Sequence, residues 1–261
     1  MNPAVPTWAG VAASAALIAL TIAVTWRARL GLARDIALAA VRAALQLAAV
    51  GALLLLVFRH TGLAGAIGWL ALMVLIAGQV AARRARALPR ALPAATAAIT
   101  IGTAATVGTL LALGVIATEA RVVIPVGGMV VSGAMQATAL ALTRLHDEVR
   151  AARPAIEARL SLGLAATDAF APHQRTVVAT ALIPALDSTK TVGVISLPGA
   201  MTGLILAGVD PLTAIRYQIV VMYMLLAAAA LAGITAVRLA ERALFDSAHR
   251  LRLLASPPGN R

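Results

Sequence analysis

The feature that most constrains this chain is a series of long stretches without a charge. Ala9–Thr25, Thr61–Ala82, Ala91–Thr118, Val122–Thr143, Thr191–Val209 and Tyr217–Val237 contain no Asp, Glu, Lys or Arg, and Ile36–Phe58 is broken only by Arg42. Each is close to the ~20 apolar residues that cross a bilayer as a helix. Only 12% of the 261 residues are charged and 61% are hydrophobic, whereas a soluble domain carries roughly 25% charged residues on its surface. The pattern predicts an all-α polytopic membrane protein of about seven transmembrane helices.

Charge gives the expected orientation. If the seven runs alternate across the membrane, one side holds Arg27, Arg29, Arg34, Arg83, Arg84, Arg86, Arg90, Arg144, Arg150, Arg153, Arg159, Arg175 and the tail from Arg238 to Arg261. The other side holds Arg59 and Arg121, a ratio of seventeen to two. Basic loops stay in the cytoplasm, so the N-terminus is expected outside and the C-terminus in the cytoplasm. The net charge of +12 is thereby assigned to topology and not to nucleic acid. No basic segment precedes the first apolar run, which reads as a retained span and not a cleaved signal, with Trp8 and Trp26 as interfacial anchors. The absence of cysteine excludes disulfides, thiolate metal sites and Cys nucleophiles.

The reading is one transmembrane domain over residues 1–261 with a cytoplasmic loop at 144–176. Inside that loop, Ile156, Leu160 and Leu164 recur every four residues among Arg150, Arg153, Glu157 and Arg159, which predicts a short amphipathic helix. Periodicity leaves two roles open, resting on lipid headgroups or docking a cytoplasmic partner. Thr176–Ala207 is too long for a simple span and contains Pro184, Asp187, Lys190 and Pro198. It is expected to form a lead-in helix over Thr176–Ala185 and then a bent span ending near Gly208. Pro125, beside Gly127 and Gly128, marks a further expected irregularity, so Pro125, Pro184 and Pro198 are the three predicted helix breaks.

Nucleotide-hydrolysis and hydrolase signatures are missing: the chain has no Walker A pattern, no GxSxG and no HExxH. It is therefore expected to be no enzyme, and to bind no cofactor itself. Polar residues within spans stand out, because a charge at the bilayer centre costs about 2.5–3.5 kcal/mol even on the lenient insertion scale. Arg42 and Gln46 share one helical face, as do Asp187 and Lys190. These four are candidate pathway or gating residues, set against a structural role in which Arg42 snorkels and Asp187 neutralises Lys190. Gly128-x-x-x-Ser132 and Gly199-x-x-x-Gly203 are expected sites of close helix approach. The threonines Thr96, Thr100, Thr103, Thr106 and Thr109 either line a polar seam or bond to their own backbone.

The stretch ALIPALDSTKTVGVISLPGAMTGLILAGVDPLTAIRYQIVVMYMLL, Ala181–Leu226, resembles the signature region of the FetB-type ABC transporter permease family. VRAALQL (Val41–Leu47) and VIPVGGMVVSGAM (Val123–Met135) resemble it too. Within the long loop, EARLSLG resembles the EAAxxxG coupling element of ABC permeases: Glu157, Ala158 and Gly163 match, and Arg159 replaces the second alanine. The resemblance implies a permease homodimer in a bacterial inner membrane, coupled through Glu157–Gly163 to a separate ATPase subunit that binds ATP-Mg, and exporting iron. Plant relatives are linked to aluminium tolerance, and no spaced His, Cys or carboxylate set identifies metal ligands. Two other function classes are an ion-coupled secondary transporter that relays protons through Asp187 or Lys190, and a non-transporting membrane scaffold.

Overall fold

The computed structural model describes residues 7–60, 62–246 and 248–252. The tail beyond Arg252, with Arg261, lies outside the described residues. Among those described the chain is helical: α1 (Trp8–Arg27), α2 (Ala33–His60), α3 (Gly62–Arg84), α4 (Ala91–Ala112), α5 (Ala120–Ala151), α6 (Arg153–Ser161), α7 (Ala166–Thr191), α8 (Gly199–Leu206) and α9 (Pro211–Leu244). Local chemistry sets several ends. Thr7 caps α1 by accepting from the Gly10 N–H at 3.2 Å, and Asp210 caps α9 by accepting from Thr213 N–H at 3.1 Å. Pro211 follows at the first helical position, where a missing N–H costs nothing.

Helices α3, α4, α5, α7 and α9 form the packed bundle, and α1 pairs with α2 as a hairpin that meets the bundle through α3. No residue of α1 is buried. The bundle core is built largely from alanine and valine, including Ala98, Val130, Ala134, Ala228 and Ala232. Such small side chains let helix backbones approach closely. The tightest approaches are at Gly78, where a Cβ would sit 3.0 Å from Thr96 Cα, and at Gly102, where it would sit 2.9 Å from Ala232 Cβ and 3.1 Å from Ala228 O. The expected approach at Gly199 and Gly203 is not made, for both glycines face open space, and Gly128 meets only the flexible end of Met73.

Among the described residues six helices, α1 to α5 and α9, are long and apolar enough to cross a membrane. The sixth uncharged run of the sequence is not one of them, which corrects the expectation: Thr191–Val209 holds an irregular segment and the eight-residue α8. The helix that packs along α9 is formed upstream of that run, by α7. Ala166 N–H donates to His249 Nδ1, Phe170 meets Phe245 edge-on, Gln174 Nε2 donates to Glu241 Oε2, and Leu182 packs at Gly233. Each step forward along α7 matches one step back along α9, so the two are antiparallel in a fixed register.

That register places Thr191, the end of α7, level with Met224, well inside the uncharged run Tyr217–Val237 of α9. The chain then turns through Val192–Pro198, held by a bridge between Val192 and Ser196 and by Gly193 at φ +80°. From the Pro198 cap, α8 extends about 12 Å and leads to Asp210, the cap of α9. Between α6 and α9 the chain is thus α7, a break, and α8. The break is displaced from the bend expected at Pro184, since α7 continues through both Pro172 and Pro184. Likewise α5 runs unbroken through Pro125, and of the three prolines only Pro198 stands at a helix boundary.

Candidate coupling surface and translocation groove

The amphipathic segment of the long loop is α6, and its geometry follows from its sequence. Pro154 opens the helix, Ile156 is fully buried in the core cluster, and Leu160 is half-buried. Glu157, Ala158, Ser161 and Leu162 face outward, with Leu162 80% exposed. The helix stops in a paired C-cap: Leu164 N–H donates to Arg159 O at 3.3 Å and Gly163 N–H to Leu160 O at 3.0 Å. This Schellman arrangement requires a left-handed residue, supplied by Gly163 at φ +87°. Gly163 therefore has a capping reason to be glycine.

Arg153 ties α6 to the segment that follows α9. Its Nε meets Glu157 Oε1 at 2.8 Å, while its two terminal nitrogens donate to Arg252 O and Leu251 O, each at 3.3 Å. The segment itself is a turn closed by the Phe245–Leu251 bridge, with Leu251 buried in the core. Asp246 accepts from the Ala248 and Arg250 N–H groups, and the latter bond, first among several, holds its carboxyl below the usual carboxylate range. Behind α6, His173 Nδ1 lies 2.7 Å from Glu148 Oε1 and Gln174 bonds the buried Glu241. α6 thus adjoins a polar, cross-linked platform made by the ends of α5, α7 and α9, none of which periodicity alone reveals.

A groove of about 730 Å³ opens between α5, α7 and α9. Ser132 and Gln136 of α5, Ser188 and Thr189 of α7, and Arg84 at the end of α3 supply its polar lining, beside Met129, Leu140, Met222 and Leu225. Gln136 Nε2 bonds Ser132 Oγ at 3.3 Å, and the α7 hydroxyls donate to Pro184 O and Ala185 O at 2.8 Å. Pro184 itself lines the groove, and its missing N–H leaves the Thr180 carbonyl without an intrahelical donor. Among the described residues no group of three or more His, Asp or Glu could hold a metal ion.

The four charged or amide candidates do not converge on this groove. Arg42 and Gln46 sit exposed on α2, which packs on α1 and α3. Asp187 and Lys190 are exposed on α7 but lie outside the groove lining, and they are not paired with each other. The α4 threonines divide: Thr100 and Thr109 bond carbonyls one turn back, whereas Thr103 and Thr106 are buried with hydroxyls that make no bond within the chain. Gln218 Oε1 and Thr138 Oγ1 are buried in the same condition. Their helices are so rich in alanine and valine that sequence periodicity does not distinguish these faces.

Residues 8–245 match the Uncharacterised protein family (UPF0014). The chain belongs to this family. It is 39% identical over 239 residues, covering 92% of its length and 84% of the relative, to the UPF0014 membrane protein STAR2 of Oryza sativa subsp. japonica. It is 36% identical to the Protein ALUMINUM SENSITIVE 3 of Arabidopsis thaliana over 92% of this chain and 88% of that one. The Probable iron export permease protein FetB of Escherichia coli (strain K12) is 36% identical over 90% of this chain and 91% of its own. No solved structure matches. With six apolar spans and these relatives, the protein is a multi-pass membrane protein of a permease-type family.

Proposed function

We propose that this protein is the membrane permease subunit of an ABC exporter of iron, driven by a separate ATPase, in a bacterial inner membrane. The observation that carries the reading is near full-length similarity to a probable iron export permease, joined to an exposed, firmly braced α6 in the one long loop. The chain is oriented with its N-terminus outside, so that the arginine-rich ends of α3, α5 and α9 are cytoplasmic. Two permeases and two ATPases form the working unit. ATP binding closes the ATPases, moves the Glu157–Gly163 helices, and shifts the bundle between two states that open the groove to opposite sides. The break between α7 and α8, which follows the groove-lining Ser188 and Thr189, gives that motion a hinge.

The test is reconstitution of the permease with its ATPase in proteoliposomes, reading iron-stimulated hydrolysis and iron movement. Deletion cells should accumulate iron and become more sensitive to iron with peroxide. Unchanged cellular iron with the ATPase expressed and iron in excess removes the substrate assignment. Failure of any ATPase to co-purify removes the ABC assignment and favours ion-coupled secondary transport or a scaffold.

A further inference from the structure

From the register of α7 on α9, we infer that the outward stripe of α7 is an interface with a second copy of this chain, in which Asp187 of each copy pairs with Lys190 of the other. The inference deepens the proposed 2:2 assembly and rests on it for stoichiometry alone. Asp187 lies level with Ala228 and Lys190 level with Leu225, by the two contacts between α7 and α9, Gln174 with Glu241 and Leu182 at Gly233, that set the antiparallel register. Ala228 and Leu225 stand next to the middle of the uncharged run Tyr217–Val237. Both charges are therefore near the bilayer midplane, where an unpaired charge facing lipid is disfavoured.

Within one chain that cost is not met. Both side chains are exposed, neither is paired, and the long Lys190 side chain starts too deep to reach either interface easily. They belong to a continuous stripe. Thr176, Thr180, Ile183, Asp187 and Lys190 recur at alternating four- and three-residue steps, flanking the buried Val177 and Ala181, and all but the half-buried Thr180 are exposed. Ile183 is 49% exposed. Copies in one membrane share orientation, so a two-fold axis runs along the membrane normal and sets α7 beside α7. An acid and a base one turn apart on the same stripe are then self-complementary, since each meets the other's opposite charge diagonally across the axis.

Charge exchange separates this from pairing inside one chain. Asp187→Lys leaves two bases in the chain, and Lys190→Asp leaves two acids, so neither variant can pair within itself or with its own copy. Together they complement across the interface only. Each variant alone should dimerise at least tenfold more weakly in vesicles, read by energy transfer between labelled copies. Co-expressed with different tags, they should co-purify as a heterodimer of restored affinity. Because the chain has no cysteine, Ile183→Cys should also form an oxidised dimer, and Leu45→Cys on α2 should not. The proposal is overturned if both charge variants dimerise like the natural chain, as they would if these charges faced a water-filled pathway. It is overturned equally if co-expression restores nothing while both variants remain folded. These readouts need no ATPase, so failure of the ABC assignment would be seen separately, in the co-purification experiment.

Discussion

Removing the Arg153 side chain tests whether the segment after α9 holds α6 in place. The guanidinium donates to Arg252 O and Leu251 O at 3.3 Å each, and its side chain is 29% exposed. Hydrogen bonds from a charged donor contribute roughly 1.5–3 kcal/mol, but these two are long and partly solvated. Surface screening reduces each to about 1 kcal/mol. The Glu157 contact adds little, because Glu157 is half exposed. Arg153→Ala should therefore cost about 2 kcal/mol of local stability, roughly a thirty-fold rise in the open population. Hydrogen exchange across Phe245–Arg252 and α6 reads that change directly, and exchange in α4 should not move. Arg153→Lys, which lacks the fork that reaches two carbonyls, should fall between. Leu251→Asp should reproduce the effect by expelling the tail's buried anchor. Unchanged protection in both Arg153→Ala and Leu251→Asp would refute the claim that the tail braces α6.

Other substitutions follow from the same contacts. Gly102→Val should lower the melting temperature by an amount corresponding to about 2 kcal/mol, since the new Cβ meets Ala232 Cβ and the Ala228 carbonyl; Gly203→Val, facing open space, should not. Gly163→Ala should weaken ATPase binding through strain of about 1–2 kcal/mol at φ +87°, and Glu157→Lys should weaken it by reversing an exposed charge without changing α6, which circular dichroism and a pull-down can separate. A cysteine at Gly62 should react with an impermeant reagent from outside and one at Ala151 should not; the opposite result reverses the orientation. The Asp246 turn should persist at neutral pH and loosen only as pH falls below the usual carboxylate range, because a lowered carboxyl pKa stabilises the folded form until that group is protonated; opening by pH 6 in hydrogen exchange would contradict this.

What could be read in advance tracks which physical signal dominates each segment. Six of the seven runs became long helices because length and apolarity decide the matter where little competing polarity intervenes. α6 was legible because Ile156, Leu160 and the glycine stop leave a periodic trace. Its brace was not, since Arg153 and the Leu251 and Arg252 carbonyls are far apart in sequence, and a backbone acceptor leaves no mark on composition.

The α7 segment shows a sharper limit. An uncharged run of the right length, Thr191–Val209, looked like the span, yet it contains Gly193, Pro198, Gly199, Gly203 and Gly208, which weaken a continuous helix. The helix lies instead upstream, where Asp168, His173, Gln174 and Arg175 depress the apolarity that a span search relies on. Those polar residues are tolerable because they fall at the basic end, where His173 meets Glu148 and Gln174 meets Glu241. Further along, Pro184 was expected to stop the helix, but its ring points into the groove, where there is room for it and for a carbonyl freed of its donor. The stop comes at Val192, where Gly193 takes the left-handed conformation and lets the chain fold back on Ser196. Hydropathy thus marked the apolar segments and misplaced the helix among them, and the displaced break leaves Asp187 and Lys190 inside α7, level with the middle of the uncharged run of α9.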